Sequence, residues 1–209
     1  MTPLYFLDLA GTFVFAVSGI RAAADKRMDL FGALFLGFIT ALGGGTLRDM
    51  LLGIRPVSWL HDLNYLWTIF AALLFTYTFD HTTERLKKTL FLFDTIGLGV
   101  FTVIGVEKAL ALNIAEPYAV AMGMVSSVVG GITRDTFCGE IPLIFRKEIY
   151  ATACLLGGTT LILLNDSLNI TGMPSYGIVI LFVIAIRVVA IKFKLRLPTV
   201  TPNAYKNKS

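Results

Sequence analysis

Gly43-Gly44-Gly45-Thr46-Leu47-Arg48-Asp49 is the stretch on which the reading of this chain turns. Three consecutive glycines sit in an apolar run, and an arginine and an aspartate follow before the run resumes. Glycine loosens a helix. A charge in hydrocarbon costs ~2.5–3.5 kcal/mol or more. The pattern returns as Gly130-Gly131-Ile132-Thr133-Arg134-Asp135. A costly device that appears twice points to function.

A shift of 86 residues lays the chain on itself without gaps. Asp8 falls on Asp94, Gly11 on Gly97, Phe15 on Phe101, Gly19 on Gly105 and Gly37 on Gly123. Gly44, Gly45, Arg48 and Asp49 fall on Gly130, Gly131, Arg134 and Asp135, and Gly53 and Pro56 fall on Gly139 and Pro142. One offset that holds through glycines and charges is an internal repeat. Each copy holds three apolar segments, an odd number, so the second must enter a membrane the opposite way up. Such inverted repeats recur in transport proteins, whose sites lie near the bilayer midplane.

The membrane assignment follows from composition. Of the 209 residues, 56% are hydrophobic and 15% charged, against ~25% charged in soluble domains. The mean hydropathy is +0.75. Apolar segments lie at about 4–23, 31–52, 58–79, 90–110, 117–138, 148–164 and 175–191, most of them near the ~17–25 residues a spanning helix needs. The expected fold is an all-α membrane protein of seven transmembrane helices: two inverted three-helix repeats plus a seventh helix. As a single domain, repeat one covers 4–79, repeat two 90–164, the seventh helix 174–195 and a basic C-terminal tail 196–209. The first segment carries Asp8 and lacks a basic lead and a clear cleavage site, so it reads as a retained helix.

Basic residues sort by loop. Arg21, Lys26 and Arg27, then Arg85, Lys87 and Lys88, then Arg146 and Lys147, and finally Lys192, Lys194, Arg196, Lys206 and Lys208 fall on one side. Only Arg55 and Lys108 fall on the other. The positive-inside rule then places the N-terminus outside and the C-terminus in the cytoplasm, in the inner membrane. The net charge of +4 is explained by this sorting and does not point to nucleic acid. The same inner basic residues suit anionic headgroups, so membrane lipids count among the expected partners. Cys138 and Cys154 both lie in apolar segments and read as buried free thiols, since no metal-ligand cluster accompanies them.

Consecutive glycines let a helix kink or unwind, and freed carbonyls at membrane depth can coordinate cations. Thr40 and Thr46 flank the first glycine run, and Ser126, Ser127 and Thr133 the second. Their hydroxyls can replace part of an ion's water shell. The arginines would set an electrostatic barrier or hold the breaks closed. Gly44 lies 14 residues beyond Leu30, ~21 Å along a helix at ~1.5 Å per residue. That depth puts the glycines near the centre of the bilayer, Arg48 and Asp49 in the outer half, and Arg134 and Asp135 in the inner half. Asp8 and Asp94 match the arginines in depth, which predicts the neighbours Asp8–Arg48 and Asp94–Arg134.

Packing competes with this reading. Small residues in membrane helices mostly permit close approach, and Gly37, Gly97, Gly99, Gly123, Gly157 and Gly158 read that way. Asp49 and Asp135 either have interior partners or reach the headgroups. Arg187 is expected to snorkel to the cytoplasmic surface. Glu107 and Lys108 form an outer-face ion pair or part of a vestibule. Trp59, Tyr65 and Trp67 read as interface and packing aromatics, and His61 and His81 as loop residues. No enzyme signature appears: there is no phosphate loop, nucleophile elbow or metal-binding histidine pair, and no cofactor is implied.

The motifs GGGTLRDMLLGIRP at 43–56 and GGITRDTFCGEIP at 130–142, with the starts Asp8…Gly11 and Asp94…Gly97, resemble the prokaryotic trimeric intracellular cation (TRIC) channel family. The resemblance spans roughly residues 4–195. It implies a homotrimer with a pore in each protomer, conducting monovalent cations such as potassium and sodium. It also implies that Gly43, Gly44, Gly45 with Arg48, and Gly130, Gly131 with Arg134, kink the second and fifth helices beside the pore. The animal relatives carry a basic lipid-binding motif that has no convincing copy here. Chains of this type have also been labelled glycine-transporter domains, which keeps a carrier of a small zwitterion in view.

Overall fold

In the computed structural model, residues 2–78 and 87–198 are described, the side chains of 87–89 excepted. The linker 79–86, with His81 and Arg85, and the tail 199–209, with Lys206 and Lys208, lie outside the described residues, as do the side chains of Lys87 and Lys88. The described chain forms seven α-helices: α1 (Pro3–Asp25), α2 (Leu30–Leu51), α3 (Asn64–Thr78), α4 (Lys87–Ala111), α5 (Glu116–Phe137), α6 (Ala151–Ser167) and α7 (Met173–Lys192). Short 3-10 turns at Ser58–His61 and Leu143–Phe145 precede α3 and α6. Four helices, α1, α2, α4 from Leu90 and α7, are long and apolar enough to cross a membrane on their own. Several expected bounds shift: α4 starts at Lys87 and α7 ends at Lys192, and two further shifts share a cause. The third segment is a 3-10 turn followed by a helix from Asn64, and the sixth helix begins at Ala151. In both, the residues after the glycine-capped helix turn back to cap a buried aspartate before the next helix starts.

The ends of α2 and α5 explain themselves locally. Gly53 and Gly139, at φ +73° and +68°, occupy the left-handed region that favours glycine. Ile54 N donates to Asp49 O at 2.8 Å, and Glu140 N to Asp135 O at 2.9 Å. These bonds close a Schellman turn that satisfies the last carbonyls. At the other end of α2, the Asp29 carboxylate accepts from Gly32 N at 2.7 Å, an N-cap for an otherwise apolar helix.

Within each copy the first helix packs on the second and third, and the copies meet through α1 on α4 and α2 on α5. The seventh helix lies against α4 and α6. About two thirds of the apolar window of α4 is buried, against 28% in α7, so α4 is central and α7 peripheral. Without water to drive burial, helices in a bilayer associate through close packing. Gly19 faces Gly37 and the Leu36 carbonyl, and Gly105 faces Gly123 and the Met122 carbonyl, contacts related by the repeat. Gly97, Gly99, Gly157 and Gly158 also abut neighbours closely, as expected of packing positions.

The meeting of the copies is reciprocal. A Cβ on Gly44 would overlap the Ser126 carbonyl oxygen, and one on Gly130 would overlap the Thr40 carbonyl oxygen. Phe15 stacks on Phe101 at 5.1 Å between centroids and 26° between planes. Phe15 occupies the space beside Gly97, and Phe101 the space beside Gly11. All these partners are exchanged by the 86-residue offset, so they lie about the pseudo-two-fold axis. The expected break in the second and fifth helices is absent. Both run uninterrupted through Gly43–Gly45 and Gly130–Gly131. Gly44 and Gly130 omit a side chain to let two backbones touch, which leaves each helix its own hydrogen bonds.

Candidate functional site

Two buried charge clusters flank that crossing. The face carrying the N-terminus holds Asp8, Arg48, Asp49 and Lys108, and the face carrying the C-terminal end of α7 holds Asp94, Arg134 and Asp135. Arg48 and Arg134 are each 1% exposed. Both clamp the aspartate that follows them. Arg48 Nε donates to Asp49 Oδ1 at 2.9 Å, and Arg134 Nε to Asp135 Oδ1 at 2.9 Å. The second guanidinium nitrogen stands 2.8 Å from the same oxygen in each pair. Asp49 and Asp135 are therefore buried partners and do not reach outward. Their other oxygens cap the returning turn, Asp49 Oδ2 accepting from Ser58 N at 2.9 Å and Asp135 Oδ2 from Leu143 N at 3.1 Å.

The clusters part at the first-helix aspartates. Arg134 Nη1 donates to Asp94 Oδ1 at 2.7 Å and to Ser18 Oγ at 2.6 Å. Arg48 Nη1 instead donates to Ser126 Oγ at 3.2 Å. Asp8 accepts from Tyr65 Oη at 3.1 Å and has Lys108 Nζ 3.9 Å away. Lys108 also stands 3.5 Å from Asp49 Oδ1 and donates to Ser58 Oγ at 2.8 Å. Both expected pairs are neighbours, but only Asp94 and Arg134 bond directly; Asp8 and Arg48 border the same small cavity with no ion pair between them. A lysine takes the place that symmetry would assign to the Asp8–Arg48 contact. Lys108 lines a cavity beside Asp8, while Glu107 accepts from Asn165 Nδ2 at 3.3 Å.

Tyr65 and Tyr150 were not foreseen as site residues. Tyr65 is 6% and Tyr150 1% exposed, and the Tyr150 hydroxyl lies 3.4 Å from Asp94 Oδ1. They correspond at an offset of 85, since the register slips by one after Pro56. Trp59 donates to Thr46 Oγ1 at 3.0 Å and is likewise part of the N-terminal-face cluster, whereas Trp67 is exposed.

The hydroxyls flanking the glycines mostly bond their own helices. Thr40 donates to Leu36 O, Thr46 to Leu42 O, Thr133 to Val129 O and Ser127 to Met124 O. Ser126 is the one that faces an arginine. Gly43 and Gly45 are looser than Gly44. Gly45 borders a small cavity of about 10 Å³ between Arg48 and Phe101. Gly131 lies against the Tyr150 hydroxyl, 2.5 Å from where a Cβ would be. Cys154 is buried and Cys138 half-buried, both as free thiols.

Each cluster opens towards its own face. A cavity of about 280 Å³ bordered by Tyr5, Asp8, Asp62, Tyr65 and Lys108 lies on the N-terminal side. One of about 560 Å³ bordered by Lys26, Arg134, Asp135, Cys138, Glu140 and Arg146 lies on the other. The Phe15–Phe101 stack and the Gly44–Gly130 crossing lie between the two charge clusters. Lys26 and Glu140 join across the larger cavity at 2.7 Å, and Arg146 stands 3.5 Å from the same carboxylate. Both main partners lie outside the spans. The hydrogen bond to Lys26 holds Glu140 below the usual carboxylate range, and the same bond holds Lys26 above the usual lysine range.

Comparison with known proteins agrees with this architecture. A family model described as "Glycine transporter" matches twice, over residues 5–81 and 91–166. The UPF0126 inner membrane protein YadS of Escherichia coli is 42% identical over 201 residues, 94% of this chain and 95% of that one. The TRIC trimeric intracellular cation channel orthologue from Rhodobacter sphaeroides superposes with a TM-score of 0.86 at 35% identity, covering 93% of this chain and 100% of the other. A second TRIC cation channel structure, solved to explain conductance, gives 0.82 at 34% identity over 94% and 97% of the two chains.

Proposed function

The chain belongs to the TRIC family, and from that premise we propose that it is a passive channel for monovalent cations, potassium and sodium, with a pore in each protomer of a homotrimer. The observation that carries this is the likeness to TRIC cation channels along nearly the whole chain, at a TM-score of 0.86. The N-terminus faces outward and the C-terminus the cytoplasm, and the whole of 1–209 acts as one transmembrane unit of two repeats and a seventh helix. The path runs from the Asp8 cavity past Arg48 and Gly45, by the α2–α5 crossing, to the Arg134 cavity. Gly43, Gly44, Thr46, Ser126, Ser127, Gly130, Gly131 and Thr133 flank it. Asp8, Asp49, Asp94 and Asp135 offset the arginines, which would otherwise repel cations. In this conformer the apolar Phe15–Phe101 stack closes the middle, since a dry constriction blocks ions by dewetting.

Planar-bilayer recording of the purified protein in potassium chloride tests the proposal. A cation-selective current supports it; no current, or strict anion selectivity, sinks it. One observation favours a second reading, a secondary carrier of a small zwitterion such as glycine: the description of the family model. There the arginines would bind the carboxylate. Saturable uptake with counterflow in proteoliposomes, without ohmic current, would select the carrier.

A further inference from the structure

Arg187 is the buried charge that the channel path does not use. It lies on α7, the helix without a repeat partner, and is 0% exposed. It does not snorkel. Its guanidinium is held between the rings of Tyr150, 4.8 Å away, and Phe91, 5.1 Å away. Nη1 donates to Ile149 O at 2.9 Å and reaches Glu148 Oε2 at 3.4 Å. Nε and Nη2 have no hydrogen-bond partner among the described residues. A guanidinium carries five N–H donors, so the described residues leave this one short of acceptors.

The backbone around it is built to hold a shape. After α7, Lys194 takes a left-handed conformation at φ 52°, and Leu195 N closes back on Ala190 O at 2.8 Å. The chain then pairs with the segment before α6, through a bridge between Arg196 and Glu148 and a bond from Leu197 N to Lys147 O at 3.1 Å. A cavity of about 190 Å³ results, bordered by Arg187, Lys194, Arg196 and the Glu148 carboxylate. Three cations and one carboxylate border it, Arg187 alone of the three standing within 3.4 Å of Glu148, whose side chain is 37% exposed and free to turn outward. The cavity lies at the basic end of the last span, at the depth of headgroups.

We propose that this cavity is a binding site for a phosphate group, taken up on Arg187, Lys194 and Arg196 as Glu148 swings to solvent. A phosphate offers the several acceptor oxygens that a planar guanidinium fork can engage in pairs. Its charge balances cations that Glu148 alone leaves in surplus. Tyr150 lies against both Arg187 and Asp94, so an occupant here touches the residue that adjoins the Arg134 cluster.

Two probes separate the sources of such a phosphate. Titration calorimetry of the full chain in detergent with inorganic phosphate tests a soluble ligand. Native mass spectrometry with phosphatidylglycerol, against phosphatidylcholine, tests a headgroup. Saturation at one ligand per protomer by either probe is the expected result. Inorganic phosphate binding assigns the site to a soluble phosphate, and phosphatidylglycerol alone assigns it to lipid. The double variant Lys194→Gln/Arg196→Gln should weaken binding about tenfold or more, and Glu148→Gln should strengthen it. Both variants leave the buried arginine in place and should fold. Binding of neither probe, or binding unchanged in the double variant, overturns the proposal.

Discussion

The N-terminal-face and C-terminal-face clusters descend from one pattern and are wired differently. On the C-terminal side Arg134 holds two carboxylates, and Asp94 is bonded straight to it. On the N-terminal side Arg48 holds one, and Asp8 turns to Tyr65 and Lys108. Two carboxylates there face two cations, whereas Asp94 and Asp135 face one arginine. By the offset, Lys108 corresponds to Ala22, and Ser18, which Arg134 bonds, corresponds to Ile104, so the clusters differ in more than one neighbour. Repeat symmetry thus fixes where charges lie in depth, and neighbours without a symmetry mate decide which of them touch.

The largest test of this contrast is to remove each first-helix aspartate. Asp94→Ala takes from buried Arg134 one of the two carboxylates it holds and should cost ~1.5–3 kcal/mol. Asp8→Ala should cost clearly less, because Arg48 keeps its own partners. Equal losses of thermal stability in detergent would show that the different wiring has no energetic consequence. The crossing should behave the opposite way. Gly44→Ala and Gly130→Ala each push a Cβ into a carbonyl oxygen and should lose similar amounts, ~1–3 kcal/mol. One position tolerating the change would break the symmetry claimed for the axis. The next glycine along separates the copies again. Gly131→Ala meets the Tyr150 hydroxyl, while Gly45→Ala finds its nearest atom at 3.5 Å, an ordinary contact. Only the former should lower the melting midpoint.

Smaller effects concern the mouths. Lys108→Gln gives the N-terminal-face cluster the charge balance of its counterpart and should raise potassium conductance about two- to threefold if the path runs there. An unchanged single-channel conductance would place Lys108 off the path. The Lys26–Glu140 bridge is exposed and should matter least. Glu140 is depressed, so its contribution is present above the ordinary glutamate range and lost as pH falls through its lowered value. Lys26 is raised, so its share is lost only above the ordinary lysine range. The stability difference between the parent and Glu140→Gln should therefore be small and flat through neutral pH and should vanish on acidification.

Much of this was legible before any coordinates. The offset located both arginines and both pairs of aspartates, and the Asp94–Arg134 bond follows from matched depth. Asp8 lies near Arg48 as matched depth implies, but its direct partners escaped, because Lys108 lies on α4, in the other copy, and reads by position as a residue at a helix end. Tyr65 and Tyr150 escaped because the register slips by one after Pro56; a search at an offset of 85 would have found them. Arg187 has no counterpart to compare, and its aromatic sandwich comes from three separate segments. The glycine runs were misread as breaks. A glycine that bends a helix and one that admits a neighbouring backbone look alike in a sequence, and only the presence of the Ser126 and Thr40 carbonyls decides between them.

The Phe15–Phe101 stack is a contact of a residue with its own image. A surface that binds itself across a two-fold axis is what a dimer of identical chains requires. In such a dimer every substitution is made twice, so no charge can be placed at one mouth without its copy at the other. Joining the two units in one chain removes that constraint. Lys108 opposite Ala22 is then the mark of a molecule whose halves are free to differ.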